Sequence, residues 1–304
     1  MTSLLTDPNT ATAPSAAPDK PRPVAAPREP STASRATAWA ARQPGLLLAI
    51  AFITVVAAWV VVPGVFTSAN PLTGDVAERL LSPSGAHPFG TDSLGRDLYA
   101  RVVSGAVTSI QVIVIAVGVA LVVGSLLGLA AGFFGRWVDD VLMRVVDVVL
   151  AIPSLLLSMA LITILGYGLV NVAIAVGLAS VANFARLMRA DVLRVRTSLY
   201  IEAAKAAGCR WWTILFRHVL PNSAGSVVAV AALEFGTAVL AVSALSFLGY
   251  GAPAPTPEWG RLVSEGRDFI ATAWWLVTFP GLIITLLVLA TNRVARALEK
   301  GGRQ

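Results

Sequence analysis

Only one cysteine, Cys209, and two histidines, His87 and His218, occur in the 304 residues. A lone thiol excludes an intrachain disulfide and a cysteine-based metal centre. The two histidines lie on opposite sides of several apolar runs, so no metal site is expected. Charge is also scarce: Asp, Glu, Lys and Arg make up 13% of the chain, against roughly a quarter in an ordinary soluble domain. The phosphate-loop pattern G-x-x-x-x-G-K-[ST] is missing. Glycine-containing runs such as GSLLGLAAG, Gly124 to Gly132, are apolar, so the chain is not expected to hydrolyse ATP. No aromatic residue precedes Trp39.

What is present is lipid-compatible. Hydrophobic residues make up 56% of the chain, in runs of around twenty, long enough to cross the ~30 Å hydrocarbon layer as helices. The class is therefore all-α and polytopic, since a soluble reading needs several wholly buried helices of that length. Six transmembrane helices are expected, at about Gly45 to Thr67, Ser109 to Phe134, Arg144 to Leu165, Leu169 to Ala185, Ser223 to Leu248 and Ala273 to Val294. The loops between them cover 68–108, 186–222 and 249–272. Pro153 in the third span, and Pro280 with Gly281 in the sixth, predict kinks or local unwinding that either serve motion or are tolerated. Residues 1–44 hold eight prolines among Ala, Ser and Thr and read as a disordered arm. The apolar run that follows is longer than a signal-peptide core.

Basic residues orient the spans. With a cytoplasmic amino terminus, eighteen of the 23 Lys and Arg fall inside and five (Arg79, Arg96, Arg101, Arg261 and Arg267) outside. This places both termini, including a short tail at 297–304, in the cytoplasm. The net charge of +6 then reflects membrane insertion, and no nucleic-acid partner is expected.

The same topology puts YIEAAKAAGCRWWTILFRHVLPN, Tyr200 to Asn222, in the longest cytoplasmic loop. Alanines 203, 204, 206 and 207 favour a helix, and Gly208 suits its C′ position. Trp211, Leu215 and Val219 recur at i, i+4, with Trp212 and Phe216 on the adjacent row, so a second short helix follows. Pro221 is expected to end it. Such a pair of helices either seats in a partner's groove or rests its tryptophans among lipid headgroups.

Glu202-Ala203-Ala204, Gly208 and Leu220-Pro221 together resemble the EAA loop, E-A-A-x3-G-x9-I-x-L-P, of permease subunits of bacterial ABC importers. His218 stands where the general pattern has isoleucine. Arg217 to Asn222, R-H-x-L-P-N, is similar to the version in the dipeptide, oligopeptide and nickel branch. His87 to Ser109 and Leu245 to Arg267 resemble extracytoplasmic segments of that branch's C-type subunits, and Asp147 with AIPSLLLSM supports them. The resemblance covers roughly Gly45 to Arg296.

What the resemblance implies is a type I importer permease fold (MetI-like) and import of di- or oligopeptides, with nickel or another small solute as the alternative. It further implies a second homologous permease subunit, two cytoplasmic ATPases that use the ATP and Mg²⁺, and an extracytoplasmic substrate-binding protein, all in a bacterial cell membrane. The coupling surface would comprise Glu202, Ala203, Ala204, Gly208, Trp211, Trp212, Phe216, Arg217, His218, Leu220 and Pro221.

Outside the membrane, Thr91 or Asp92 is expected to cap a helix starting at Ser93, and Asp97 with Arg101 to form a surface pair. These residues, with Arg96 and Trp259, either dock the binding protein or set the angle of the second span. Within the spans, Glu234, Asp147 and Pro153 are candidates for the translocation path. Glu234 meets a passing amine or forms an interhelical hydrogen bond, and Asp147 snorkels or bonds Arg144. Members of the family often carry a glutamate where this chain has Val242, which leaves pore chemistry open. A secondary transporter and a membrane scaffold are the readings from other classes; the first has no use for an ATPase-docking loop, and the second is bounded by co-purification with an ATPase whose activity it alters.

Overall fold

A computed structural model describes residues 44–301, with side chains to Ala297. The disordered arm expected at 1–44 falls on residues outside that range, apart from Pro44. The regular structure of the described residues is helical, in nine main elements joined by loops. Five single helices are long and apolar enough to cross a membrane, and a sixth span results if one bent pair is counted as one.

Helix α1, Pro44–Val61, stops before Pro63 and is followed by one more turn, Pro63–Phe66. Proline fixes its own φ and pushes the preceding residue out of the helical region, which accounts for the break at Val62. Helix α2, Leu98–Phe134, is eleven residues longer at its start than the span expected from Ser109. At about 1.5 Å per residue its 37 residues exceed the ~30 Å apolar layer, so one end projects beyond it.

Helices α3, Arg136–Ala151, and α4, Ser154–Leu165, meet at 98°. The sequence suggests a kinked third span from Arg144. Instead Ile152 is extended, at φ −96° and ψ 129°, because Pro153 follows it. The charged face of α3 therefore turns sharply away from the apolar α4. Helix α5, Leu169–Arg196, runs on past the expected end at Ala185.

The crossing of α2 and α5 is the most extensive helix contact. A Cβ on Gly128 would stand 2.3 Å from the Ala185 carbonyl oxygen, and one on Gly124 2.6 Å from that of Val181. Small residues four apart let backbones approach and gain dispersion where lipid offers no hydrophobic drive.

Helix α6, Leu199–Ala206, is followed by α7, Trp211–Phe247. Pro221 does not end the helix before it, contrary to the expectation. A wide turn at Ile214–Val219, in which Leu220 N–H donates to Leu215 O, precedes the proline. A π-type turn shifts the hydrogen-bond register and accommodates the missing N–H. Helix α8, Trp259–Gly266, and α9, Trp275–Gly301, complete the fold. Pro280 lies inside α9, which stays one helix through Pro280 and Gly281, so of the kink or local unwinding expected there the unwinding does not occur; α9 also absorbs most of the tail placed at 297–304.

Two large hydrophobic cores, and a small cluster of Val146, Ala182 and Ala185 that ties α3 to α5, hold the bundle. One gathers α1, α2, α4, α5, α7, α8 and α9 around Trp259, Leu98 and Leu287. The other joins α2, α5 and α6 to the start of α7 through Phe184, Met188, Ile201 and Val219.

Candidate coupling surface and translocation path

The α6 end is built on a glycine stop. Gly208 has φ +76°, its N–H donates to Lys205 O at 3.0 Å, and Cys209 N–H donates to Ala204 O at 3.1 Å. This is a Schellman closure, which glycine enters without the Cβ clash that other residues meet. Ile201 is fully buried, and with Ile214, Leu215 and Val219 it ties α6 to α5 and α7. Glu202, Ala203, Lys205 and Ala206 are exposed.

The row through Trp211, Leu215 and Val219 points inward, with Trp211 only half covered by Phe133 and Phe134, ring centroids 6.4 and 5.9 Å away. Trp212 and Phe216 face outward, with the Arg210 guanidinium over the Trp212 ring at 5.2 Å. Arg217 and Pro221 are exposed, His218 and Leu220 half-buried. The Tyr200 ring lies beside His218, and the Asn222 side-chain amide donates to His218 O.

At the α8 end the structure revises the expected ledge. The cap of α2 is Asp97, which accepts from Ala100 N–H at 2.8 Å and bonds His87 at 2.9 Å; neither Thr91 nor Asp92 caps it, and no helix starts at Ser93. Asp97 does not pair with Arg101. Asp92 instead accepts from Arg96 Nε at 2.7 Å and Arg101 Nη1 at 2.6 Å, and Arg101 Nη1 also reaches Glu265 at 2.9 Å. Thr91 hydrogen-bonds the backbone at Glu78 and Leu81.

Trp259 is completely buried, its ring N–H donating to Val102 O at 2.9 Å. Thr91, Asp92 and Arg96 are buried as well, so with Trp259 they build the cap internally and are not contacts on its surface. Glu258 is buried with its carboxyl accepting from Gly260 and Arg261 N–H and within 3.4 Å of Ser109 Oγ. Burial pushes its pKa up, against the opposing hydrogen bonds from Ser246, Gly260, Arg261 and Ser109. Burial also works against the charge on Glu265, but Arg101 and Arg261 outweigh it and its pKa is lowered.

In the spans, Asn183 Nδ2 on α5 donates to Glu234 Oε1 on α7 at 3.0 Å, and Thr237 Oγ1 donates to Oε2 at 2.6 Å. These groups, with Ser154, Ser158 and Ser180, line a cavity of about 210 Å³. Asp147 pairs with Arg186 across α3 and α5 at 2.6 Å, not with Arg144, and both side chains are half exposed. Pro153 is exposed at the break whose far side brings Ser154 to the cavity. Reading acidic residues alone missed Asn183 and Thr237; the signal was there, as neutral polar residues inside apolar runs. Glu258 and Glu265 were missed because their partners lie about 150 residues away in the chain.

Residues 124–304 match the family described as "Binding-protein-dependent transport system inner membrane component". The chain belongs to that family, and is an ABC importer permease subunit with several membrane-crossing helices. It is 44% identical over 255 residues to the dipeptide transport system permease protein DppC of Alkalihalophilus pseudofirmus, covering 84% of this chain and 83% of the relative. It is 42% identical to the glutathione transport system permease protein GsiD of Pectobacterium atrosepticum, covering 71% and 72%. The probable D,D-dipeptide permease DdpC of Escherichia coli is 40% identical, with 73% and 75% covered. The fold is that of MetI-type permeases: the methionine transporter MetNI in inward-facing form aligns at TM-score 0.51 and 19% identity, covering 65% of this chain and 96% of that one. An amino acid ABC transporter with histidines aligns equally well, at 14% identity, with 66% and 93% covered.

Proposed function

We propose that this chain forms half of the translocation pathway of a di- or oligopeptide importer, paired with a second homologous permease subunit. Its α6 and the start of α7 seat on one of two cytoplasmic ATPases. The observation that carries the coupling role is the exposed Glu202, Ala203, Lys205, Ala206 face, held rigid by the Gly208 closure and backed by buried Ile201. Small side chains admit close approach, Glu202 offers an acceptor to a donor on the ATPase, and Trp212 with Phe216 supplies apolar anchors.

The peptide class is supported by the relatives, named for dipeptide, glutathione and D,D-dipeptide transport. ATP and Mg²⁺ act in the partner subunits, and this chain is non-catalytic. The α6 end and both termini face the cytoplasm, as the distribution of Lys and Arg favours, and the α8 end receives solute from an extracytoplasmic binding protein.

Uptake of labelled dipeptides in a strain lacking this gene, complemented with wild type, Glu202→Lys or Gly208→Pro, tests the reading, with nickel as the control solute. Wild type is expected to restore peptide uptake, and the variants to insert normally while losing uptake and solute-stimulated ATP hydrolysis. Full uptake by both variants removes the coupling role; nickel uptake without peptide uptake replaces the substrate.

A further inference from the structure

The carboxylate in the α5–α7 cavity is built unlike its arginine-paired neighbours on α3 and α5. Asp139, Asp147 and Asp191 each hold an arginine, respectively Arg189, Arg186 and Arg194. Glu234 receives only neutral donors, Asn183 on Oε1 and, on Oε2, the Thr237 hydroxyl, whose single proton is shared with the Glu234 carbonyl oxygen; it has no cation within ion-pair distance among the described residues. An ionised carboxylate accepts about four hydrogen bonds, so half of its capacity remains open toward the cavity. That cavity, about 210 Å³, has room for several waters at roughly 30 Å³ each. It is smaller than the roughly 300 Å³ lower bound of a site that engulfs a drug-sized ligand. Ser154, Asn183 and Thr237 are exposed in this single subunit, so the space is an open groove in which the end of a solute can reach the carboxylate.

We propose that Glu234, oriented by Asn183 and Thr237, is a transient binding station for an ammonium group of the transported solute. A bare ion in an apolar layer needs a counter-charge or hydrogen bonds, and a passing ammonium supplies both to the open side of the carboxylate. The serine hydroxyls of Ser154, Ser158 and Ser180 replace part of its hydration shell. Two neutral donors already spread over the carboxylate weaken its hold, which allows release, as conduction requires. A metal ion is a poor alternative, because no group of three His, Cys, Asp or Glu residues converges among the described residues. The proposal rests on the permease reading and names the chemistry that its path selects.

The test uses the assembled transporter in proteoliposomes. With Cys209→Ser as background, Ser180→Cys is the reporter, and Ser154→Cys a second in case the first disturbs folding. Cationic trimethylammonium-ethyl and anionic sulfonatoethyl methanethiosulfonates are allowed to react, and modification is read by mass spectrometry. The cationic-to-anionic rate ratio is expected to fall about tenfold when Glu234→Gln is added. During turnover, a dipeptide whose only ammonium is its amino terminus, or an N-acetylated one with a lysine side chain, is expected to slow cationic labelling. Whichever protects identifies the source of the ammonium. An unchanged ratio, unreactive reporters, or protection by neither peptide while uptake proceeds overturns the proposal. Absence of uptake for either peptide fails the peptide-importer reading instead, and the labelling ratio still decides whether Glu234 attracts cations.

Discussion

At the scale of single residues, the same side-chain type takes opposite roles according to its surroundings. Arg101, only 1% exposed, neutralises Asp92 and Glu265 at once. Arg101→Met removes the more buried of two arginines shared by Asp92 and Glu265, leaving Arg96 beside both and Arg261 on Glu265; a loss of about 2 kcal/mol is expected for the charged hydrogen bonds lost, read as a lowered Tm of the purified protein in detergent. Glu265 carries a depressed pKa, so the sign of its linkage is clear. Its stabilising charge is present above the ordinary glutamate range and is lost as pH falls through the depressed folded value. Thermal unfolding measured between about pH 3 and pH 6 should show a smaller acid-side loss in Glu265→Gln than in wild type; identical profiles would exclude this contribution. Gly208 has no neighbour crowding a Cβ, so Gly208→Ala should lose only the left-handed backbone preference, about 1 kcal/mol, and keep partial coupling where proline abolishes it.

At the scale of elements, the α2–α5 crossing and the α3–α4 break decide the shape of the path. Gly128→Leu would drive a side chain into the Ala185 carbonyl, and it should force the helices apart. The expected result is reduced yield of folded protein and a lower Tm, checked by fluorescence-detected size exclusion during heating. Pro153 keeps Ile152 extended. Pro153→Ala should let the helix continue across the break, withdraw Ser154 from the Glu234 cavity and cut uptake severalfold, while the buried Trp259 cap and its Tm contribution stay intact. Uptake at the wild-type rate would show that the bend is tolerated and not used.

At the scale of the whole molecule, the two ends differ in what they leave open. The α8 end buries Asp92, Arg96, Arg101 and Glu258 beside Trp259 while exposing Leu94, Ile270 and Trp274, and the α6 end exposes Leu199, Trp212 and Phe216. An isolated chain keeping such apolar groups in water is poorly suited to stay alone. Fluorescent-protein fusions at the carboxyl terminus should be bright, and alkaline phosphatase fusions there inactive, if that terminus is cytoplasmic as charge sorting requires.

Much of this was legible in the chain, because the information is local. Spans follow from runs of apolar residues, the Gly208 stop from one glycine after four alanines, and membership of the permease class from motif spacing around Glu202 and Pro221. Other features were not. Pro221 reads as a helix end, yet a π-type turn upstream absorbs its missing N–H. Asp92, Asp97 and Arg101 read as a cap and an i, i+4 pair, yet they answer to His87 and Glu265. Trp259 reads as a candidate for docking the binding protein, yet α2 covers it. Sequence by itself determined what each segment is, since hydropathy, propensity and backbone freedom act within a few residues. The tertiary structure alone decided which charges are paired, which aromatics are covered and that Glu234 faces a cavity with neutral partners. Those outcomes depend on side chains brought together from helices as much as 164 residues apart, and no local pattern encodes such a meeting.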